Sequence, residues 1–114
     1  MAKTLIEIEN GAWVLKLLGD KTRLTMIMLL DSHDCCVCEF TAMFNMSQPA
    51  VSQHLRKLKD SGLVGETRRG QWINYSLNKQ SVYYPLVQDI LEHFPNQDGK
   101  LKELEEKGLR ISCE

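Results

Sequence analysis

The sequence predicts a mainly α-helical domain carrying one two-stranded β-hairpin, and three observations predict it. A capped, two-faced helical pattern runs over about residues 47–61. Two β-prone runs follow it over about 63–77, separated by Arg68-Arg69-Gly70-Gln71. Apolar helical patterns flank this pair at about 6–18 and 79–94. No repeat, low-complexity tract or linker divides the 114 residues, so residues 1–114 read as a single domain.

From Ile6 to Leu18, the helical period puts Ile8, Ala12, Leu15 and Leu18 near one face, and Trp13, Val14 and Leu17 widen it. So much apolar surface on a terminal helix predicts packing against something large, such as a second subunit. Asp20 is the expected cap of the next helix, Lys21 to Leu30, with Leu24, Ile27, Met28 and Leu30 as its core stripe. Asp31-Ser32-His33-Asp34 is a polar break. Cys38 to Phe44 then forms a short helix burying Phe40 and either Met43 or Phe44, and Asn45-Met46-Ser47 turns the chain.

The helix after that turn organises the chain. Ser47 can accept a bond from an orphan N–H, Pro49 sits in the first turn where a missing donor costs nothing, and Gly62 suits the left-handed position past the end. Val51, Leu55 and Leu58 recur at i, i+4 and i+7 and make a buried stripe. Gln48, Ser52, Gln53, Arg56, Lys57 and Lys59 fall mostly on the other side. An ordinary solvated face would also be polar. Small polar and amide groups near a helix N-terminus, followed by cations, suit base edges and flanking phosphates in a DNA major groove. Two helices joined by a tight turn, the second capped and polar outside, form a helix-turn-helix. His54 can instead turn inward and hydrogen-bond.

Leu63 to Thr67 and Trp72 to Leu77 are the hairpin strands, with a basic tip. Following a helix-turn-helix, such a wing brings Arg68 and Arg69 to the DNA backbone or minor groove; a solvated tip needing charge for solubility is the plainer alternative. Asn78 caps the last long pattern, Lys79 to Phe94, but Pro85 predicts either a kink or a start near Tyr84. Lys100 to Lys107 reads as a short charged helix.

The net charge of −1 looks wrong for a nucleic-acid binder until the chain is divided. Residues 47–79 hold 6 Lys+Arg against 2 Asp+Glu, whereas 1–46 hold 4 against 6 and 80–114 hold 4 against 7. The basic charge is concentrated around the reading helix and wing, as an electrostatic footprint requires. No apolar run approaches the roughly 20 residues that span a bilayer, and no signal-peptide pattern follows Met1. A cytoplasmic protein without membrane partners is expected.

Three of the four cysteines lie within four positions, at Cys35, Cys36 and Cys38, with Cys113 distant. A disulfide framework spaces its cysteines along the chain, and the cytoplasm keeps thiols reduced. Clustered thiols there point to a soft metal or metalloid, or to redox chemistry. Buried filler is the plain alternative for any one of them.

At Asp34-Cys35-Cys36-Val37-Cys38-Glu39-Phe40, followed by Ser47-Gln48 and Val51-Ser52-Gln53-His54-Leu55, the chain resembles the ArsR/SmtB family of metal-responsive bacterial repressors. The similarity extends from about Leu15 to Leu91, and Cys36-Val37-Cys38 matches the Cys-Val-Cys site of the arsenic- and cadmium-sensing branches. The resemblance implies a winged helix-turn-helix homodimer joined through its first and last helices. It also implies an apo form that represses by binding inverted-repeat operator DNA until an inducer weakens the grip. By position, Gln48, Ser52 and Gln53 resemble the family's reading-helix contacts, and Arg68 and Arg69 its wing contacts. Ser47, Arg56 and Lys57 complete the expected DNA surface. The family's second, zinc-sensing site is built from Asp and His. Its positions correspond here to Lys79, Ser81, Glu92 and Pro95, so zinc sensing of that kind is not expected. The cadmium- and lead-sensing branch adds cysteines from an N-terminal arm, and residues 1–34 contain none.

Three thiolates at i, i+1 and i+3 make a soft site, one short of the four ligands that structural zinc usually takes. A pyramidal As(III) or Sb(III) centre on Cys35, Cys36 and Cys38 fits that count. Cd(II), Pb(II) or copper(I) would need an extra ligand such as Cys113 or His33. On a regular helix Cys36 lies about 100° round from Cys35 and about 200° from Cys38, so binding is expected to unwind the first turn. A reversible thiol oxidation switch on the same fold is a further alternative. An enzyme is not expected: a redox C-x-x-C normally follows a strand in a βαβ setting, and no second catalytic group at fixed spacing accompanies it.

Overall fold

The computed structural model describes residues 5–108, so Cys113 lies outside the described residues. Its elements are α1 (Ile8–Leu18), α2 (Lys21–Ser32), β1 (Cys35–Cys36), α3 (Val37–Phe44), α4 (Gln48–Asp60), β2 (Val64–Arg69), β3 (Trp72–Leu77), α5 (Tyr84–Leu91) and α6 (Gly99–Glu106). No helix among the described residues is long and apolar enough to cross a membrane.

The local signals around α4 fold as read. Ser47 Oγ accepts from the Ala50 N–H at 3.3 Å, Pro49 occupies the first turn, and Gly62 takes φ 84° beyond the end. Val51, Leu55 and Leu58 are fully buried. They meet Met26, Ile27 and Leu29 of α2 and Phe40 of α3 in one core. Asp20 caps α2 through the Arg23 N–H at 3.0 Å. The turn from α3 to α4 is made at Asn45, whose φ of 51° lies in the left-handed region that asparagine tolerates better than most residues.

Two expectations are corrected. The two-stranded wing is part of a three-stranded antiparallel sheet, order β1-β3-β2, in which Cys35 pairs with Tyr75 and Cys36 with Asn74. The helix expected over 79–94 spans only Tyr84–Leu91: of the two alternatives that Pro85 allowed, the start at Tyr84 is the one found, since proline belongs in a first turn, and residues 92–94 leave the helix. The N-terminal helix points Val14, Leu17 and Leu18 inward, and Ile8 and Leu15 of the expected stripe are 83% and 52% exposed, surface of the kind expected to pack against a second subunit. The short charged helix forms as α6 and packs Leu101 and Leu104 inward, against α3.

Candidate nucleic-acid interface and thiol site

The polar face of α4 is built as its sequence suggests. Ser47, Gln48, Gln53, Arg56 and Lys57 are exposed and Ser52 is half-buried. Gln48 Nε2 donates to Ser52 Oγ at 3.0 Å, one turn along, which holds both groups on one side of the helix. Ser47 already uses its hydroxyl as the cap, so its side chain serves α4 before any ligand.

In the hairpin, Arg69 pairs with Trp72 and Arg68 with Ile73, and only Gly70 and Gln71 form the turn. Gly70 takes φ 60°, as the first position of a two-residue Gly-X turn requires. The arginines therefore sit at the end of β2 rather than at the tip. Alternation sends their side chains to opposite faces of the ribbon, so one contact geometry cannot serve both. Sequence reasoning missed a brace here: Lys59 Nζ of α4 lies 2.5 Å from Glu66 Oε1 of β2. The hydrogen bond from Lys59 is the main cause holding the Glu66 carboxyl below its usual pKa. Wing and reading helix are thus tied by a charge pair as well as by packing.

His54 turns inward. Its Nδ1 lies 3.1 Å from Arg23 Nη1, while Arg23 Nε donates to the Leu17 carbonyl at 2.7 Å. Burial lowers the imidazole pKa below the ordinary value, opposed by Asp20 and assisted by Arg23 and Lys57.

The three clustered cysteines separate into a pair and an outlier. Cys35 and Cys36 are successive residues of a strand, so their side chains take opposite faces. Cys35 is fully buried in the core, and its thiol donates to the His33 carbonyl at 3.7 Å. Cys36 is the residue preceding α3, and its Sγ lies 3.2 Å from Sγ of Cys38 in the first helical turn. The helix expected from Cys38 starts at Val37 with Cys35 and Cys36 on β1 ahead of it, so the regular-helix angles from which unwinding was expected do not apply, and the Cys36 and Cys38 sulfurs already meet. Among the described residues, no three His, Cys, Asp or Glu side chains are grouped to hold a metal ion.

Glu39, unassigned by the sequence reading, completes this turn. Its Oε1 accepts from the Cys36 N–H at 3.0 Å and from the Cys36 thiol at 3.3 Å, although its side chain is buried. The signal was present, since Cys-x-x-Glu has the spacing of a capping box with sulfur in place of hydroxyl oxygen. The thiol pair opens on a cavity of about 400 Å³ lined by Val37, Thr41, Gln48, Gln71, Trp72 and Ile73. One hollow thus holds both thiols, the first residue of the reading helix and the tip of the wing.

These elements define a winged helix-turn-helix domain with a paired-thiol pocket beside its reading helix. The profile of the family described as "Bacterial regulatory protein, arsR family" matches residues 20–66. "Arsenic resistance transcriptional regulator ArsR1" of Pseudomonas putida is 40% identical over 75 residues, 65% of this chain and 59% of that protein. The chain thus spans well under two thirds of that relative's length. "Arsenical resistance operon repressor" of Bacillus subtilis is 37% identical over 76 residues, 66% of this chain and 72% of that protein. Among solved structures, the homodimeric winged helix-turn-helix DNA-binding domain Mb0332 of Mycobacterium bovis is similar at TM-score 0.63. It is 26% identical, and the match covers 82% of this chain and 92% of that one. The chain belongs to the arsR family of bacterial regulatory proteins, a family of transcriptional regulators rather than enzymes.

Proposed function

We propose that this chain is a homodimeric repressor that binds inverted-repeat operator DNA and is released by As(III) or Sb(III) held at the Cys36–Cys38 pair. The observation that carries the reading is the shared cavity: the thiol pair and Gln48 line the same space. Gln48, Ser52 and Gln53 would read base edges, with Arg56, Lys57, Arg68 and Arg69 serving phosphates. Inducer on Cys36 and Cys38 would stand where Gln48 and the wing tip approach each other. Two reading helices must meet half-sites about one DNA turn apart, so a small displacement of each misregisters both. A 100-fold release needs the inducer to prefer the DNA-free form by about 2.7 kcal/mol.

Homodimer formation is supported by apolar surface that a lone subunit leaves uncovered. Leu5, Ile8 and Leu15 are 89%, 83% and 52% exposed, and Val82 and Phe94 stand out on either side of α5. Cys35 faces the core rather than the pair, so in this reading it is no ligand in the resting fold and the third valence of the metalloid is left to another group. Cd(II), Pb(II) or copper(I) would have to recruit donors beyond the two thiols. A redox switch has one specific observation in its favour, the 3.2 Å between the sulfurs, since a Cys36–Cys38 disulfide would need little movement.

The test is fluorescence anisotropy with a labelled duplex that the reduced protein selects from random sequence, at fixed salt. Titration with arsenite, antimonite, cadmium, lead and zinc should give release by the first two at one per subunit. Release by cadmium or lead alone would reject the metalloid assignment. Release by peroxide in metal-free buffer, with no response to any metal or metalloid, would favour the redox switch.

A further inference from the structure

The reading helix has two flanks, and the wing occupies one of them. Lys59, paired with Glu66 of β2, stands on that side. Lys57 lies about 160° round the helix from Lys59, on the opposite flank. There a hollow of about 290 Å³ opens between α1, the start of α2 and the second half of α4. Trp13 and Leu17 give it an apolar wall, and Lys16, Arg23 and Lys57 bring three cations against the one carboxylate of Asp60. Arg23 is held in place, since its Nε and Nη1 bond the Leu17 carbonyl and His54. Trp13 sits about 140° round α1 from Ile8, clear of the apolar stripe that would meet a second subunit. On α4, Lys57 and Asp60 follow Gln53 at i+4 and i+7, so the hollow continues the strip that would face base edges.

We infer that this hollow seats a backbone phosphate of the operator, so that α1 and α2 grip the DNA strand on the side of the reading helix away from the wing. The inference rests on the reading of α4 as the helix that enters the major groove. A groove about 12 Å wide leaves little room beside a helix about 10–12 Å across, so a phosphate backbone runs along each flank. The wing arginines serve one backbone, and Lys16, Arg23 and Lys57 are the cations facing the other. Cations gathered against a wall of low dielectric concentrate the field where an anion would stand, and the Trp13 indole N–H adds a donor. Asp60 opposes the contact, which fixes the sign of its removal.

Anisotropy with the full-length protein and the selected duplex, at several salt concentrations, compares wild type with Lys16→Ala and Asp60→Asn. Lys16 is exposed, so its loss leaves the core intact. Lys16→Ala should weaken binding to all sequences alike and flatten the dependence of log K on log salt by about one unit, whereas Asp60→Asn should tighten binding. Replacing the phosphates one at a time by methylphosphonate locates the contact. One position that weakens wild type should leave Lys16→Ala indifferent and still weaken Arg69→Ala. An unchanged slope in Lys16→Ala, or a phosphate scan in which it responds like wild type at every position, would overturn the inference. So would inorganic phosphate bound in the hollow while Lys16→Ala leaves DNA affinity unmoved, the behaviour of a small-anion site. Failure of wild type to bind any duplex would instead overturn the reading of α4 beneath it.

Discussion

Arg23 Nη1 of α2 stands 3.1 Å from Nδ1 of His54 on the reading helix. Arginine has only donors to offer, so the imidazole accepts at Nδ1, is neutral, and carries its proton on Nε2. Because Arg23 Nε also bonds the Leu17 carbonyl at 2.7 Å, one guanidinium joins the end of α1, the start of α2 and the middle of α4. The face of α4 that would meet DNA is thereby referenced to the helix that would meet the second subunit.

Protonating His54 opposes that arrangement, and the sign follows from its lowered pKa. The unfolded chain binds this proton more readily than the folded one. The stabilising contribution is therefore fully present above about pH 6.5 and is lost as pH falls from there through the depressed folded value. Asp20 and Glu66, with pKa values lowered from 3.8 and 4.5, lose their contributions only at more acid pH. Urea unfolding between about pH 5 and 7.5 should show stability falling toward acid in wild type and a flatter profile in His54→Gln. Parallel profiles would remove His54 as the titrating group.

Arg23→Ala deletes both side-chain bonds and should cost about 1.5–3 kcal/mol, the range for hydrogen bonds to a charged group. Leu55→Ala, at a fully buried position between α4 and the core, should cost about 2–5 kcal/mol. Lys59→Met breaks a pair that is partly exposed on both sides and should cost less than about 1 kcal/mol. Chemical denaturation of the three variants checks the order.

The wing and the reading helix should fail differently on DNA. Arg69→Ala removes an exposed cation, so it should weaken binding to all sequences alike and flatten the salt dependence by about one unit of slope. Gln53→Ala should instead relax discrimination at one base pair, by about 1–3 kcal/mol. Affinities on matched and mutated duplexes at several salt concentrations separate the two.

What the sequence disclosed and what it concealed divide by range. Helix α4 was legible because Ser47, Pro49, Gly62 and the Val51, Leu55, Leu58 spacing are all local signals. Pro85 likewise marked the start of α5, and reading Lys79 to Phe94 as one helix gave its apolar spacing too much weight. Strand β1 was not legible: two residues carry no alternation to detect, and it exists because Tyr75 and Asn74 of β3 supply a ladder for Cys35 and Cys36. That distant pairing turns Cys35 inward and leaves Cys36 and Cys38 together. A helical wheel drawn through all three could not place them.

The central claim is that the Cys36–Cys38 pair controls DNA binding without forming part of the DNA surface. The most direct measurement compares wild type, Cys36→Ser and Cys38→Ser by anisotropy on the same selected duplex, with and without arsenite. Affinity for DNA should be equal in the three proteins, with release by arsenite in wild type alone. Release from both variants, with their DNA affinity intact, would place the sensing site elsewhere and contradict it.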